Sequence, residues 1–121
     1  MAKILVIDDD QQLRKMLVRI LKSNGYDVRQ AGNGEEGMKL LCEDVPELVI
    51  TDIVMPDKEG LETISDIRRQ FPQVKIIAMS GGGHSIDAAN PLFIAGKIGA
   101  SHTLTKPFEI EKILDVVAGM V

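Results

Sequence analysis

The stretch Leu48-Val49-Ile50-Thr51-Asp52-Ile53-Val54-Met55-Pro56-Asp57-Lys58-Glu59-Gly60 reads as a short buried strand that delivers one carboxylate to its own end. Leu48 to Thr51 is the strand. Pro56 removes a backbone donor and Gly60 admits positive φ, so the chain must turn between them. A charged residue just past a buried strand sits at the edge where open α/β sheets keep their ligands. Asp also caps turns routinely, so Asp52 alone carries no function. The flanking sequence decides.

Upstream, Ile4-Leu5-Val6-Ile7 is a continuous aliphatic run, as expected of a parallel strand covered on both faces, and it ends in Asp8-Asp9-Asp10. Leu13, Met16, Leu17, Ile20 and Leu21 then recur at helical spacing until Asn24-Gly25 stops them. Val28 to Ala31 is a second short strand, closed by Gly32-Asn33-Gly34. Glu35 to Glu43 is a helix with Met38, Leu41 and Cys42 inward, ended before Pro46. Downstream of the Asp52 loop, Leu61, Ile64 and Ile67 line a third helix, with Arg68-Arg69 near its C-terminus, where cations suit the helix dipole. Val74 to Met79 is a fourth strand ending at Ser80. Gly81-Gly82-Gly83-His84 follows, then a helix near Leu92 to Ile98 closed by Gly99. His102 to Thr105 is a fifth strand ending at Lys106-Pro107. A last helix from Phe108 has Ile110, Ile113, Leu114 and Val117 inward. Strands alternating with helices predict a five-stranded parallel sheet with right-handed crossovers, a three-layer doubly wound (βα)5 fold.

A chain of 121 residues is long enough to bury a core without disulfide or metal staples, and it is expected to form one domain over 1–121. With no Trp, one Tyr and three Phe, that core must be mainly aliphatic. A net charge of −4 argues against nucleic acid as the direct partner. One cysteine, Cys42, permits no internal disulfide and fits a reducing compartment; its apolar helical stripe suggests buried filler. The N-terminal apolar segment is too short for a signal peptide, and no run approaches the ~20 residues of a membrane span. A cytoplasmic location with no membrane partner is expected.

Four of the five strands end in a polar residue that their apolar runs do not require: Asp8 and Asp9, Asp52, Ser80 and Lys106. In a parallel sheet these ends share one edge, so residues distant in sequence meet in one site. Carboxylates about 5 Å apart repel by roughly 3 kcal/mol per pair at an effective dielectric near 20, so protonation or a cation must offset the repulsion. Hard oxygen donors at an open site suit Mg²⁺, Lys106 offers the opposite charge to a phosphoryl oxygen, and Ser80 a neutral donor. A nucleophilic carboxylate, a metal and a lysine form a coherent kit for making an acyl phosphate.

The ordered set Asp8-Asp9, Asp52-x-x-Met55-Pro56-x-x-x-Gly60, Ser80 and Lys106-Pro107-Phe108 resembles the receiver domain of two-component response regulators across essentially the whole chain. The resemblance implies strand order 2-1-3-4-5, the flavodoxin-like arrangement. It implies that Asp52 accepts a phosphoryl group from a phosphohistidine on a sensor histidine kinase or phosphotransfer protein. By the same resemblance Asp8, Asp9, Asp52 and the backbone carbonyl of Val54 form the Mg²⁺ site, Asp8 acting largely through water. Lys106 pairs with the acyl phosphate, Ser80 swings in to donate to it, and a cis peptide precedes Pro107. The protein would then be a signalling phosphoacceptor that promotes its own phosphorylation and dephosphorylation rather than a turnover enzyme. A downstream protein would read the face formed by the fourth helix, fifth strand and fifth helix, through a two-state population shift.

The chain departs from this pattern in several places. Thr103 stands where the family usually places an aromatic switch, and the neighbouring His102 should point to the other face of its strand. The Ser80-to-Gly99 segment is longer than usual, and Gly81-Gly82-Gly83 suggests a hinge before a displaced helix. Val54 and Gly82 occupy positions that tune phosphoryl loss in the family, and an apolar Val54 cannot orient water, which predicts a long-lived phosphoform. Two other classes compete. A Mg²⁺-dependent phosphohydrolase would carry a second Asp where Val54 stands, and a flavin binder would need a Ser/Thr/Gly-rich loop where Asp8-Asp9-Asp10 stands. Whether the chain acts alone or as part of a longer regulator is open from sequence.

Overall fold

The computed structural model describes residues 2–53, 60–80, 100–105 and 109–121, with backbone alone for 60, 61, 80 and 105. The expected helix near 92–98 and the segment 81–84 lie outside the described residues. So do Val54, Met55, Pro56, Lys106, Pro107 and Phe108.

The aliphatic runs form strands β1 (Lys3–Ile7), β2 (Asp27–Ala31), β3 (Leu48–Asp52), β4 (Lys75–Ser80) and β5 (His102–Thr105). They make a five-stranded sheet in the order β2-β1-β3-β4-β5, every neighbouring pair parallel. Helices α1 (Gln11–Ser23), α2 (Gly34–Glu43) and α3 (Gly60–Gln70), with a C-terminal helix (Ile110–Met120), cover it. Together these elements make the three-layer, doubly wound, flavodoxin-like fold.

Strand alternation divides the core into two layers. Ile4, Val6, Val28, Leu48, Ile50, Ile77, Met79 and Leu104 pack with α1 and the C-terminal helix through Leu17, Val18, Leu21, Ile113 and Val117. Leu5, Ile7, Ala31, Val49, Ile76 and Ala78 pack with α2 and α3 through Leu41, Ile64 and Ile67. Each fully buried aliphatic side chain contributes about 1.5–3 kcal/mol relative to exposure, so these two layers hold the sheet edge in place.

Helix ends are closed locally. Asp10 caps α1, its carboxylate accepting from the Gln12 and Leu13 amides at 3.1 and 3.2 Å. Asn33 caps α2 by accepting from the Glu36 amide at 2.8 Å. The α1 exit turns at Gly25, whose φ of 91° is costly for any residue with a Cβ. Arg29 closes the far end of α2, its Nη2 donating to the Leu40 and Asp44 carbonyls at 2.6 and 3.0 Å.

Three expectations about helix faces fail. Cys42 is exposed rather than buried filler. The inward face of α2 is set by Gly34, Gly37 and Leu41, with Leu40 partly buried beside them. Cys42 lies one residue, about 100°, past Leu41 and so faces away. On α1, Met16 is 40% exposed and Val18 takes the buried place. Ile110 is 47% exposed because it is the first residue of the C-terminal helix, a turn before the buried stripe of Ile113 and Val117.

Candidate acidic site at the strand ends

β1 and β3 are neighbours with Ile7 opposite Thr51, so one further residue along each strand sets Asp8 beside Asp52. Asp8 is fully buried, Asp52 is 7% exposed, and Asp9 is open to solvent. One carboxylate oxygen from each of Asp8, Asp9 and Asp52 lies within 4.8 Å of the others. On the other side of β3, Asp52 pairs with Met79, and the Ile53 amide donates to the Met79 carbonyl at 3.0 Å. That register carries the Ser80 backbone to the same edge, with Thr105 opposite it. The edge expected from sequence therefore exists for β1, β3, β4 and β5. Lys106, Val54, Met55, Pro56 and Pro107 are outside the described residues, as is the Ser80 side chain, and Gly60 is present as the first residue of α3. Thr103 is half-buried opposite Ala78, while His102 is exposed opposite Ile77, consistent with strand alternation.

The three consecutive acids after β1 have separate tasks. Asp8 accepts from the Asp10 amide at 2.9 Å and fixes the turn. Asp9 is the exposed member of the cluster. Asp10 caps α1 and is not part of the cluster. Asp10→Ala is accordingly expected to cost about 1 kcal/mol of stability, read as a lowered urea midpoint. An unchanged midpoint would show that the cap contributes nothing.

Two contributors were not anticipated from sequence. Arg14 Nη1 donates to the Asp8 carbonyl at 2.8 Å, and its Nε donates to Gln30 Oε1 at 2.9 Å. A signal was available: a cation close to a helix N-terminus opposes the helix dipole, so its presence there asks for a specific partner. The partner itself, sixteen residues away, was not legible.

The donor set suits a small hard cation. Carboxylate oxygens alone, two from nearly buried residues and one from an open side, are the donors that hard cations such as Mg²⁺ and Ca²⁺ take. Soft metals would ask for His or Cys, which this cluster lacks.

The chain is thus a parallel sheet of this order carrying an acidic cluster at the ends of β1 and β3. Residues 4–118 match the response regulator receiver domain family, and the chain belongs to it. It is 34% identical to the chemotaxis protein CheY of Listeria monocytogenes, covering 97% of this chain and 96% of that protein. It is 37% identical to the transcriptional regulator NtrC of Azospirillum brasilense over 96% of this chain but 23% of that protein. The chain likewise spans 48% of the probable C4-dicarboxylate response regulator DctR of Bacillus subtilis, at 37% identity. Among solved structures, chemotaxis protein CheY4 of Vibrio cholerae superposes with a TM-score of 0.89 at 27% identity, covering 100% of this chain and 99% of that one. NtrX of Brucella abortus does so at 0.90 and 26%, covering 98% of this chain and 26% of that one. Among the described residues, no helix is long and apolar enough to cross a membrane.

Proposed function

We propose that the chain, over 1–121, is a phosphoacceptor of a two-component system, with Asp52 as the residue that takes the phosphoryl group. The observation that carries this reading is the convergence of Asp8, Asp9 and Asp52 within 4.8 Å at the end of β1 and β3. An Asp52 carboxylate oxygen forms the new bond to phosphorus as the phosphorus–nitrogen bond to the donor histidine breaks. The electron pair leaves with the imidazole, whose other ring nitrogen is protonated in the phosphorylated donor, so it departs neutral. Phosphoryl transfer is mostly positioning and charge stabilisation. Here Asp8 and Asp9 would hold Mg²⁺ with Asp52 and the Val54 carbonyl. When bound, the ion supplies the positive charge that lets the anionic phosphoryl group approach an anionic nucleophile. Lys106 is assigned the pairing with the acyl phosphate and Ser80 the late hydrogen bond to it. Met55, Pro56, Gly60 and Pro107 are assigned structural roles, and Thr103 the switch position, without an aromatic ring.

The phosphate adds roughly −1.5 to −2 charges at this edge, enough to bias a two-state rearrangement. The partners we assign are a sensor histidine kinase or phosphotransfer protein in the cytoplasm, and a downstream protein that reads the region of β5 and the C-terminal helix. The chain thereby promotes its own phosphorylation and dephosphorylation, with an apolar Val54 favouring slow loss.

The test is intact-protein mass after incubation with acetyl phosphate. A single-phosphoryl adduct that forms with Mg²⁺ and not with EDTA is expected. Mg²⁺ at 100 times its dissociation constant should also raise folding stability by about 2.7 kcal/mol. No adduct with acetyl phosphate or with a phosphorylated histidine donor would overturn the reading.

A further inference from the structure

We infer that Arg14 is a positioning residue for the acidic site: its guanidinium holds the Asp8–Asp9 turn in place against the repulsion of the carboxylates. The inference rests on reading the three-carboxylate cluster as a cation site.

The side chain leaves the first turns of α1 and ties together pieces of chain that are separate in sequence. Nη1 donates to the Asp8 carbonyl at 2.8 Å, at the end of β1. Nε donates to Gln30 Oε1 at 2.9 Å, on β2. Nη1 also lies over the turn after β2, where a Cβ on Gly32 would stand 3.4 Å from it. Arginine suits this task because its donors sit in a rigid planar fork and its charge persists at any working pH. Beneath it, the Asp8 amide donates to the Ala31 carbonyl at 3.1 Å and Asp8 Oδ1 accepts from the Asp10 amide at 2.9 Å. The turn is thus held at its amide, its carbonyl and its side chain, and the carbonyl tie comes from a side chain on another element.

Without a cation, Asp8, Asp9 and Asp52 repel one another, and the easiest relief is for the turn carrying Asp8 and Asp9 to swing away from β3. The guanidinium opposes that movement at the Asp8 carbonyl. Gln30 stops the arginine from following the turn. The pair therefore preorganises the donor oxygens before any ion arrives, as outer partners do at other metal sites.

The sign of the effect separates this role from a simple charge effect. Deleting a positive charge near a cation site should tighten Mg²⁺ by Coulomb's law alone. Deleting a positioning group should weaken it, about 10-fold or more by the behaviour of such outer partners. The experiment is calorimetric titration of Mg²⁺ into wild type, Arg14→Ala, Gln30→Ala and the double variant. It is paired with amide exchange of Asp8 and Asp10 in EDTA, which needs no ion. Expected are a weaker Mg²⁺ constant in both single variants, a double variant no worse than Arg14→Ala, and faster exchange at both amides. Gln30 is exposed and its loss retains the charge, so Gln30→Ala keeps the test valid even if Arg14→Ala folds poorly. Unchanged or tighter binding in the folded single variants, with wild type binding normally, would overturn the positioning role alone. A wild type that binds no Mg²⁺ would overturn the cation-site reading, and this inference with it.

Discussion

Asp52→Asn is expected to abolish the Mg²⁺-dependent phosphoryl adduct and, in EDTA, to leave the protein more stable than wild type. The two effects have one cause. Asn keeps the size of the side chain but loses the charge that the proposed nucleophile needs. It also removes one member of a cluster whose oxygens lie within 4.8 Å of each other. At an effective dielectric near 20 each pair repels by roughly 3 kcal/mol, an upper figure once solvent reaches the exposed Asp9. A net gain of about 1–2 kcal/mol is therefore expected in urea unfolding without metal. Saturating Mg²⁺ should shrink or reverse the gap, because the ion stabilises wild type by mass action and the Asn variant much less. An Asn variant less stable than wild type in EDTA would mean that the bonds made by the Asp52 carboxylate outweigh the repulsion. The site would then not be strained toward a cation.

Gly37→Val is expected to destabilise the fold by about 3 kcal/mol, toward the upper end of the overpacking range. Gly37 is buried on the α2 face that meets the sheet. A Cβ there would run into Ile7 Cδ1 and stand 2.9 Å from Ile7 Cγ1. Ile7 is fully buried and immediately precedes Asp8, so displacing it also disturbs the acidic turn. Gly37→Ala has a smaller expected loss, because alanine regains about 1 kcal/mol of helix propensity against the strain of one inserted methyl group. The decisive measurement is a double-mutant cycle by urea unfolding with Ile7→Val, which removes the clashing Cδ1. Alone, Ile7→Val should cost about 0.5–1.5 kcal/mol. Beside Gly37→Ala it should cost less or restore stability, giving a coupling of about 1 kcal/mol or more. Zero coupling would show that Ile7 re-rotates freely and that Gly37 is not there for close packing.

These expectations draw on different sources. The meeting of Asp8 and Asp9 with Asp52 was legible in sequence because two apolar runs both end in acids, and parallel strands bring such ends to one edge. The arrangement of neighbouring helices was less so. On α1, Met16, Leu17, Val18 and Leu21 are all apolar, and a helical stripe drawn through them admits more than one phase. Packing against β1 and β2 selects Leu17, Val18 and Leu21 and leaves Met16 outside. On α2 the same ambiguity assigned Cys42 inward, whereas two small residues, Gly34 and Gly37, are buried there. Glycine carries no hydropathy signal, so a face built on it is invisible to periodicity.

By itself the sequence determined the order and kind of the described elements, the parallel sheet, and the gathering of Asp8, Asp9 and Asp52 at one edge. Strand runs and their terminal charges are local properties, and a parallel sheet has only one edge on which such ends can meet. Only the tertiary structure decided which of three consecutive acids caps a helix, which enters the cluster, and what holds the turn between them. Those choices depend on contacts across the fold. Arg14 reaches Gln30 and Asp8 through space, and no local pattern specifies where a long, flexible side chain will find its partners.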